Sequence, residues 1–156
     1  MSLSKELLER GYIHQFSTES LEEILDSEPR TVYLGVDPSS DSMTVGNLVA
    51  VLLLRALAKA GHKVIFLAGG GTGMIGDPKP NVERPLLPRE TIVANVKSIK
   101  LQAEKILAVP DLTMTDNYDW LGKLGYIEFL RDIGKHFTAN ALVKAQRKYH
   151  PNNQTA

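Results

Sequence analysis

Residues 33–78 read YLGVDPSSDSMTVGNLVAVLLLRALAKAGHKVIFLAGGGTGMIGDP, and this stretch decides the fold. A short apolar run that stops at Asp37 predicts a strand, and the apolar segment 47–60 predicts a long helix. A second apolar run, 64–68, leads into a glycine-rich loop at 69–73. Strand, loop, helix, strand and loop in this order indicate a βαβ unit, whose loops lie where parallel sheets bind ligands.

The two loops of this unit suit a bound anion. A helix that begins at Val45-Gly46 offers unpaired backbone N–H groups and the positive end of its dipole, which attract phosphate. The glycines of segment 69–73 remove side chains, so that a ligand can lie directly on the backbone. Neither G-x-G-x-x-G after the first strand nor G-x-x-x-x-G-K-[ST] is present, so the dinucleotide fingerprint and the P-loop are not supported.

Composition excludes several classes of protein. The chain has 156 residues, 43% hydrophobic and 23% charged, which is ordinary for one globular domain. A net charge of zero is unlike that of a strongly basic nucleic-acid binder. No cysteine is present, so disulfides are excluded and a reducing, cytoplasmic location is expected. The N-terminus has no apolar signal core, the longest apolar run is too short to cross a bilayer, and the four histidines show no metal-binding spacing.

The rest of the chain predicts helices and one more strand. The lead-in, 1–30, has two short amphipathic segments, and 89–107 has the apolar period of a helix. A third short strand is expected at 111–115. Segment 121–133 predicts a helix, and Thr138 is positioned to cap a last helix that ends near residue 149. The apolar residues of 121–133 that we expect to be largely buried are Leu124, Ile127, Phe129, Leu130 and Ile133.

Four blocks of sequence resemble one enzyme family. YLGVDPSSDSMTVGNL is similar to the nucleotide-binding segment of class I aminoacyl-tRNA synthetases, with Thr44-Val45-Gly46-Asn47 where that family has H-I-G-H. LAGGGTGMIGDP, NYDW at 117–120 and FLRDIGKHF at 129–137 resemble bacterial-type tyrosyl-tRNA synthetases. The blocks keep the family's order across residues 7–142, whereas tryptophanyl enzymes share the fold but not this wording. The resemblance implies an α/β fold, Rossmann-like and of the class I synthetase type, with a parallel sheet flanked by helices.

The resemblance also implies a domain layout. Residues 1–30 would be a helical lead-in, 31–115 the nucleotide-binding βαβ core, 116–149 helices that resemble the dimer-contact region, and 150–156 a polar tail. The family's K-M-S-K-S loop and G-G-S-D-Q segment are not in this sequence. We therefore expect a truncated catalytic domain, its N-terminal part, with little activity by itself and with one face of its core exposed where the second half would dock.

The implied reaction is tyrosine–tRNA ligation. ATP, with Mg²⁺, and tyrosine would give tyrosyl-adenylate, and the tyrosyl group would pass to tRNA(Tyr); the family resemblance also implies a homodimer. Such a reaction needs positioning and charge stabilisation rather than a protein nucleophile. The residues that match the family's catalytic positions are Thr44, Asn47 and Arg84. Those that match its ATP-binding positions are Gly35, Asp37, Ser39 and Gly46.

The amino-acid side of the implied site has four candidates. They are Tyr33, Thr72, Asp77 and Asn117. A phenol at Tyr33 could hydrogen-bond the hydroxyl of the substrate, and Asp77 could pair with its ammonium group. Three of the four also have a structural interpretation: Tyr33 as a core strand residue, Asp77 in a turn, and Asn117 as a helix cap or Asx turn.

The nucleotide side is open to a similar alternative. Ser42 or Thr44 could simply cap the helix, and Asp37-Pro38-Ser39 could be only a turn. Both family histidines are replaced, and threonine cannot carry a positive charge. A second functional hypothesis therefore stands beside the first: a truncated synthetase paralogue that acts as a nucleotide-binding or interaction module.

Overall fold

The computed structural model describes residues 2–75 and 86–149. The chain divides into two compact units, Met1–Asp119 and Trp120–Ala156. In chain order the described elements are α1 (Leu3–Glu9), α2 (Glu22–Leu25), β1 (Thr31–Val36), α3 (Val45–Lys59), β2 (Lys63–Ala68), α4 (Gly70–Ile75), α5 (Arg89–Leu107), β3 (Thr113–Asp116), α6 (Tyr118–Leu121), α7 (Tyr126–Asp132), a 3-10 helix (Gly134–His136) and α8 (Ala139–Tyr149).

The first unit is built on a parallel sheet with the strand order β1-β2-β3. Val32 pairs with Val64, and Ile65 pairs with Thr113, so all three strands run in one direction. Strands connected through helices in this way form an α/β sheet. The predicted βαβ unit, the third strand and the α/β fold class are therefore confirmed.

The core lies between this sheet and two helices. In β2 alternate residues are buried, and they point toward one face of the sheet. Helices α3 and α5 contact each other and both contact β2, so they cover that face together. The buried apolar residues that these three elements contribute are Val51, Leu54 and Leu57 from α3, Val64, Phe66 and Ala68 from β2, and Ile92, Val96, Ile99, Ala103 and Leu107 from α5.

The connection from α3 to β2 is fixed by a glycine and a histidine. Gly61 has φ = +96°, which ends the helix in a conformation that favours glycine. The backbone N–H of Arg30 donates to Nδ1 of the buried His62 at 3.1 Å. Nε2 of His62 therefore carries the proton and donates to the carbonyl oxygen of Leu25 at 3.2 Å. This histidine therefore has a structural role, because its ring links the residue before β1 to the end of α2.

Three predictions about local structure are wrong. The glycine-rich segment 69–73 is not a loop, because α4 begins at Gly70, directly after β2. The expected helix 121–133 is shorter, since α7 covers only Tyr126–Asp132. The apolar residues expected to be buried there are exposed: Leu124, Ile127, Phe129, Leu130 and Ile133. Seven residues form only two turns, which is too short for a broad buried face without a sheet to cover it.

No helix in residues 2–75 and 86–149 is both long enough and apolar enough to cross a membrane.

Candidate active site

The three strands end side by side, and the residues after them form the centre of the candidate site. Val36, Ala68 and Asp116 are aligned across the sheet. The N–H of Gly69 donates to the carbonyl oxygen of Val36 at 2.9 Å, and the N–H of Asn117 donates to that of Ala68 at 3.1 Å. These bonds extend the ladder one residue beyond the strands, so the side chains that follow are neighbours at the carboxyl edge of the sheet.

A directed chain of hydrogen bonds crosses this edge. The side-chain oxygen of the buried Asn117 accepts the backbone N–H of Gly71 at 2.7 Å. Its amide Nδ2 must therefore point the other way, where it donates to Oγ1 of Thr72 at 3.1 Å. The hydroxyl of Thr72 in turn donates to Oδ1 of Asp37 at 2.7 Å. Three of the sequence-predicted site residues are thus joined in one network, although one follows β1, one lies in α4 and one follows β3.

Gly69, which precedes α4, and Gly70, which begins it, leave room for carboxylates of the protein itself. A Cβ at Gly69 would collide with the carboxylate of Asp37 and with Thr72, and a Cβ at Gly70 would collide with that of Asp116. The expectation that these glycines expose backbone to a ligand is therefore incomplete. Their absent side chains first allow the close packing of α4 against the ends of β1 and β3.

Asp116 is a polar residue of this edge that the sequence analysis missed. Its Oδ1 accepts the N–H of Gly70 at 3.1 Å and that of Tyr118 at 2.9 Å. It also lines a small cleft beside Arg89, whose guanidinium group lies 4.7 Å from the centroid of the Tyr118 ring. An acidic residue at the carboxyl end of a predicted strand was the signal that could have drawn attention to it.

The start of α3 is closed by a reciprocal pair of side chains. Oγ1 of Thr44 accepts the N–H of Asn47 at 3.3 Å, and Oδ1 of Asn47 accepts the N–H of Thr44 at 3.0 Å. The Thr44 hydroxyl also lies 2.8 Å from the same Oδ1 and donates to it. This is a capping box, so the helix-cap interpretation of Thr44 is confirmed. Nδ2 of Asn47 is the donor of this pair that the capping box leaves available.

The remaining nucleotide-side candidates lie near the same edge. A Cβ at Gly46 would be 3.6 Å from Oγ1 of Thr44, and one at Gly35 would be 3.6 Å from the Leu67 side chain. Both distances are ordinary contacts, so nothing in the fold itself demands glycine at either position. Ser39 is exposed, and its N–H donates to the carbonyl oxygen of Asp37 at 2.9 Å.

Tyr33 lies on the opposite face of the sheet from α3 and α5. Its neighbours in the chain, Val32 and Leu34, face the core, whereas Tyr33 is 70% exposed. The interpretation of Tyr33 as a buried core residue is therefore wrong. Asp77 and Arg84, the other two candidates, lie outside the described residues. Within residues 2–75 and 86–149, no cluster of three or more histidine, cysteine or acidic side chains could hold a metal ion.

Comparison with known proteins assigns the chain to a family. The family model described as tRNA synthetases class I (W and Y) matches residues 25–154. The chain belongs to this family. The match spans both units, including the described candidates at the strand ends and at the start of α3.

Curated relatives agree with this assignment. The chain is 43% identical over 145 residues to the tyrosine–tRNA ligase of Clostridium beijerinckii, covering 90% of this chain and 36% of the relative. It is 45% identical over 148 residues to that of Novosphingobium aromaticivorans, covering 91% of this chain and 36% of the relative. The chain thus spans about a third of the length of these class I relatives.

Solved structures of family members have the same fold. A C-terminally truncated mitochondrial tyrosyl-tRNA synthetase from Aspergillus nidulans superposes with a TM-score of 0.77 and 26% identity, over 99% of this chain and 49% of that one. The corresponding protein from Coccidioides posadasii has a TM-score of 0.66 at 22% identity, over 95% of this chain and 45% of that one, and supports the fold alone. The Rossmann-like fold of the class I synthetase type is confirmed.

Proposed function

We propose that this chain is part of a tyrosine–tRNA ligase, which activates tyrosine with ATP and transfers it to tRNA(Tyr). The observation that carries the proposal is the network from Asn117 through Thr72 to Asp37 at the aligned strand ends. It joins residues assigned to the amino acid with a residue assigned to ATP. A reaction between a carboxylate and a phosphate needs these two halves held in one geometry.

On the amino-acid side, Tyr33 and Asp77 would recognise the two ends of tyrosine. The exposed Tyr33 phenol would hydrogen-bond the hydroxyl of the substrate, and Asp77 would pair with its ammonium group. Thr72 and Asn117 would assist Asp77 from α4 and the end of β3. A site that hydrogen-bonds a hydroxyl discriminates strongly against the analogue that lacks it, and the tyrosyl enzyme against phenylalanine is the standard worked example of this rule.

On the nucleotide side, the start of α3 would receive ATP. Gly46 would give adenosine room to lie against the helix, and Asn47 would bond a ribose or ring oxygen through Nδ2. Ser39 would donate to a phosphate oxygen, and Thr44 would do so once its hydroxyl turns away from Oδ1 of Asn47. Arg84 would reach the pyrophosphate. Mg²⁺ would accompany ATP and neutralise its phosphate charge, bound mainly by the nucleotide.

The capping box makes a specific prediction about Thr44. Its hydroxyl is already bonded within the helix start, so we expect weaker stabilisation of the transition state than a histidine would give, by about 1.5–3 kcal/mol for a bond to a charged group. Thr44→His should raise the rate of tyrosine activation roughly tenfold to a hundredfold. Single-turnover experiments measure this as the rate of adenylate formation. They use the protein at the length at which its source cells make it. No gain in rate would contradict it.

Other parts of the proposal concern the whole protein. We infer that the whole protein is a homodimer and is cytoplasmic. We also infer that it contacts tRNA(Tyr), through regions that the relatives have and this chain does not span. The layout into lead-in (1–30), nucleotide-binding core (31–115), dimer-contact helices (116–149) and tail (150–156) belongs to the same proposal. The exposed apolar side chains of α7 support the dimer, because large apolar patches are typical of protein interfaces.

A second candidate function is supported by the same capping box. Because Thr44 and Asn47 bond each other, the start of α3 resembles an ordinary capped helix as much as a catalytic motif. A synthetase paralogue that serves as a nucleotide-binding or interaction module would need only this capped helix start and no catalytic motif. The retained Tyr33, Asp77 and Asn117 argue against it, since such a module has no use for an amino-acid site.

One pair of measurements separates the two candidates. An immunoblot of source cells gives the length of the protein, and tyrosine-dependent exchange of pyrophosphate into ATP tests its activity. We expect a protein more than twice the 17.2 kDa of this chain, active in exchange, whereas the 156-residue chain alone should be inactive. A single band at 17.2 kDa without exchange would favour the paralogue. Exchange by the short chain itself would contradict our expectation that the rest of the family's site is needed.

A further inference from the structure

Two side chains of α5 hold the loop between β1 and α3. Nδ2 of Asn95 donates to the carbonyl oxygen of Pro38 at 3.0 Å. Nε2 of Gln102 donates to the carbonyl oxygen of Asp41 at 2.9 Å, and its Oε1 accepts the N–H of Met43 at 3.1 Å. Three hydrogen bonds thus connect a helix to the backbone of a loop about sixty positions earlier in the chain.

These two residues lie on the inward face of the helix. They are seven positions apart, which is two helical turns, and Asn95 is only 6% exposed. Burial of an amide is costly unless its hydrogen bonds are made, and an apolar side chain would avoid that cost. The buried neighbours on this face of α5 are Ile92, Val96, Ile99 and Ala103. Packing of the core therefore does not explain an asparagine at position 95, whereas its bond to the loop does.

The anchored atoms stand directly beside the nucleotide-side candidates. Pro38, which is buried, lies between Asp37 and Ser39, and Met43 precedes Thr44. Fixing the backbone at these points orders the loop when the protein folds. The entropy of ordering it is then not lost again when a ligand binds, which is how preorganisation raises affinity.

We propose that Asn95 and Gln102 are positioning residues of the nucleotide site. They hold the β1–α3 loop from both ends, so that Asp37, Ser39 and Thr44 face the nucleotide in one arrangement. The inference rests on the proposed function for the identity of the ligand, but the anchoring of the loop stands on the hydrogen bonds alone. Its two parts can therefore be tested separately.

The first experiment measures the anchoring by hydrogen exchange, in the protein at the length that its source cells make. Gln102→Met keeps the length of the side chain and removes both of its bonds, so the N–H of Met43 should exchange about tenfold faster. Gln102→Glu keeps an acceptor for that N–H and should restore much of its protection. Glu104→Met, at an exposed position of the same helix, is the matched control and should leave Met43 unchanged. Exchange at Met43 that is equal in the Met variant and the unchanged protein overturns the anchoring.

The second experiment measures the consequence for the nucleotide. In pyrophosphate exchange, Gln102→Met should raise the KM for ATP about tenfold, as expected for two lost hydrogen bonds, with kcat and the KM for tyrosine within twofold. Asn95→Asp, which places a carboxylate beside the Pro38 carbonyl, should act in the same direction. Faster exchange at Met43 without a change in the KM for ATP would overturn the positioning role. Failure of the unchanged protein to use ATP would instead refute the proposed function, and the Met43 measurement would still decide the anchoring.

Discussion

The two compact units of the chain differ in the burial of their large apolar residues. In Met1–Asp119 the large side chains Phe66 and Leu107 are fully buried between the sheet and its helices. In the described part of Trp120–Ala156, Ile127 is 68% exposed and Phe137 is 61% exposed. Among the residues that the structure describes, only those of the first unit form a sheet, which gives two helices a common surface to cover.

The comparison shows what an amphipathic pattern means in each unit. In the first, apolar periodicity predicts the internal core. In the second, α7 packs against the 3-10 helix that follows it, and its large apolar side chains are exposed to solvent. Apolar surface of this kind is typical of an interface, which fits the homodimer proposed above.

The largest expected effect comes from breaking the core of the first unit. Phe66→Ala should lower the free energy of unfolding by about 3–5 kcal/mol, because a fully buried ring is replaced by a cavity beneath α3 and α5. Unfolding in urea, followed by far-UV circular dichroism, measures this change.

Phe137→Ala is the matched control, since the same substitution is made in the second unit at an exposed position. We expect a change of about 0.5 kcal/mol or less when the protein is monomeric. Equal losses from the two variants would contradict the comparison, and a loss at Phe137 that grows with protein concentration would show that a second copy covers it.

A smaller effect is expected at the carboxyl edge of the sheet. Asn117→Ala removes the acceptor of the Gly71 N–H and the donor to Thr72, and it leaves a buried backbone donor unpaired. The expected loss is about 1–3 kcal/mol. Asn140→Ala, at an exposed position of α8, is the control in the second unit and should change stability very little. The urea midpoints of unfolding of the two variants are compared with that of the unchanged protein. Equal shifts would mean that the Asn117 network does not stabilise the fold.

Sequence periodicity predicted the first unit well, because its elements follow the core. Helix α5 begins and ends at the predicted residues, 89 and 107, and all three strands were expected. Helix α4 was missed for a physical reason. Glycine disfavours helices intrinsically, and here the first turn is stabilised by Asp116 and Asn117, which accept the N–H groups of Gly70 and Gly71 from 46 residues away. No local pattern contains that contact.

The residues of the candidate site likewise fall into those that the sequence predicted and those that depend on contacts distant in sequence. The resemblance to class I synthetases led to Asp37, Thr72 and Asn117, and the fold joins them. It did not lead to Asn95 or Gln102, whose partners lie in a loop distant in sequence. One local signal was available: both amides fall on the apolar stripe of α5, where a polar residue needs a partner.

The smallest effects are expected from two aspartates, one in each unit. The Ser4 hydroxyl donates to the Asp26 carboxylate and lowers its pKa below the ordinary 3.8. The Arg131 guanidinium group, bonded at 2.7 Å, lowers the pKa of Asp132. Because folding lowers both pKa values, the stability they contribute is present above about pH 4 and is lost as the pH falls through the folded pKa.

Salt should distinguish these two aspartates, and NMR titration of their carboxyl groups measures both. The partner of Asp26 is uncharged, so its lowered pKa should persist in 1 M salt, whereas the exposed Arg131–Asp132 pair should be screened and its pKa should return toward 3.8. Asp26→Asn should remove the acid sensitivity of the contact between α1 and α2, and Asp132→Asn is the matched change in α7. Equal salt dependence at both sites would mean that a charged neighbour, rather than Ser4, lowers the pKa of Asp26.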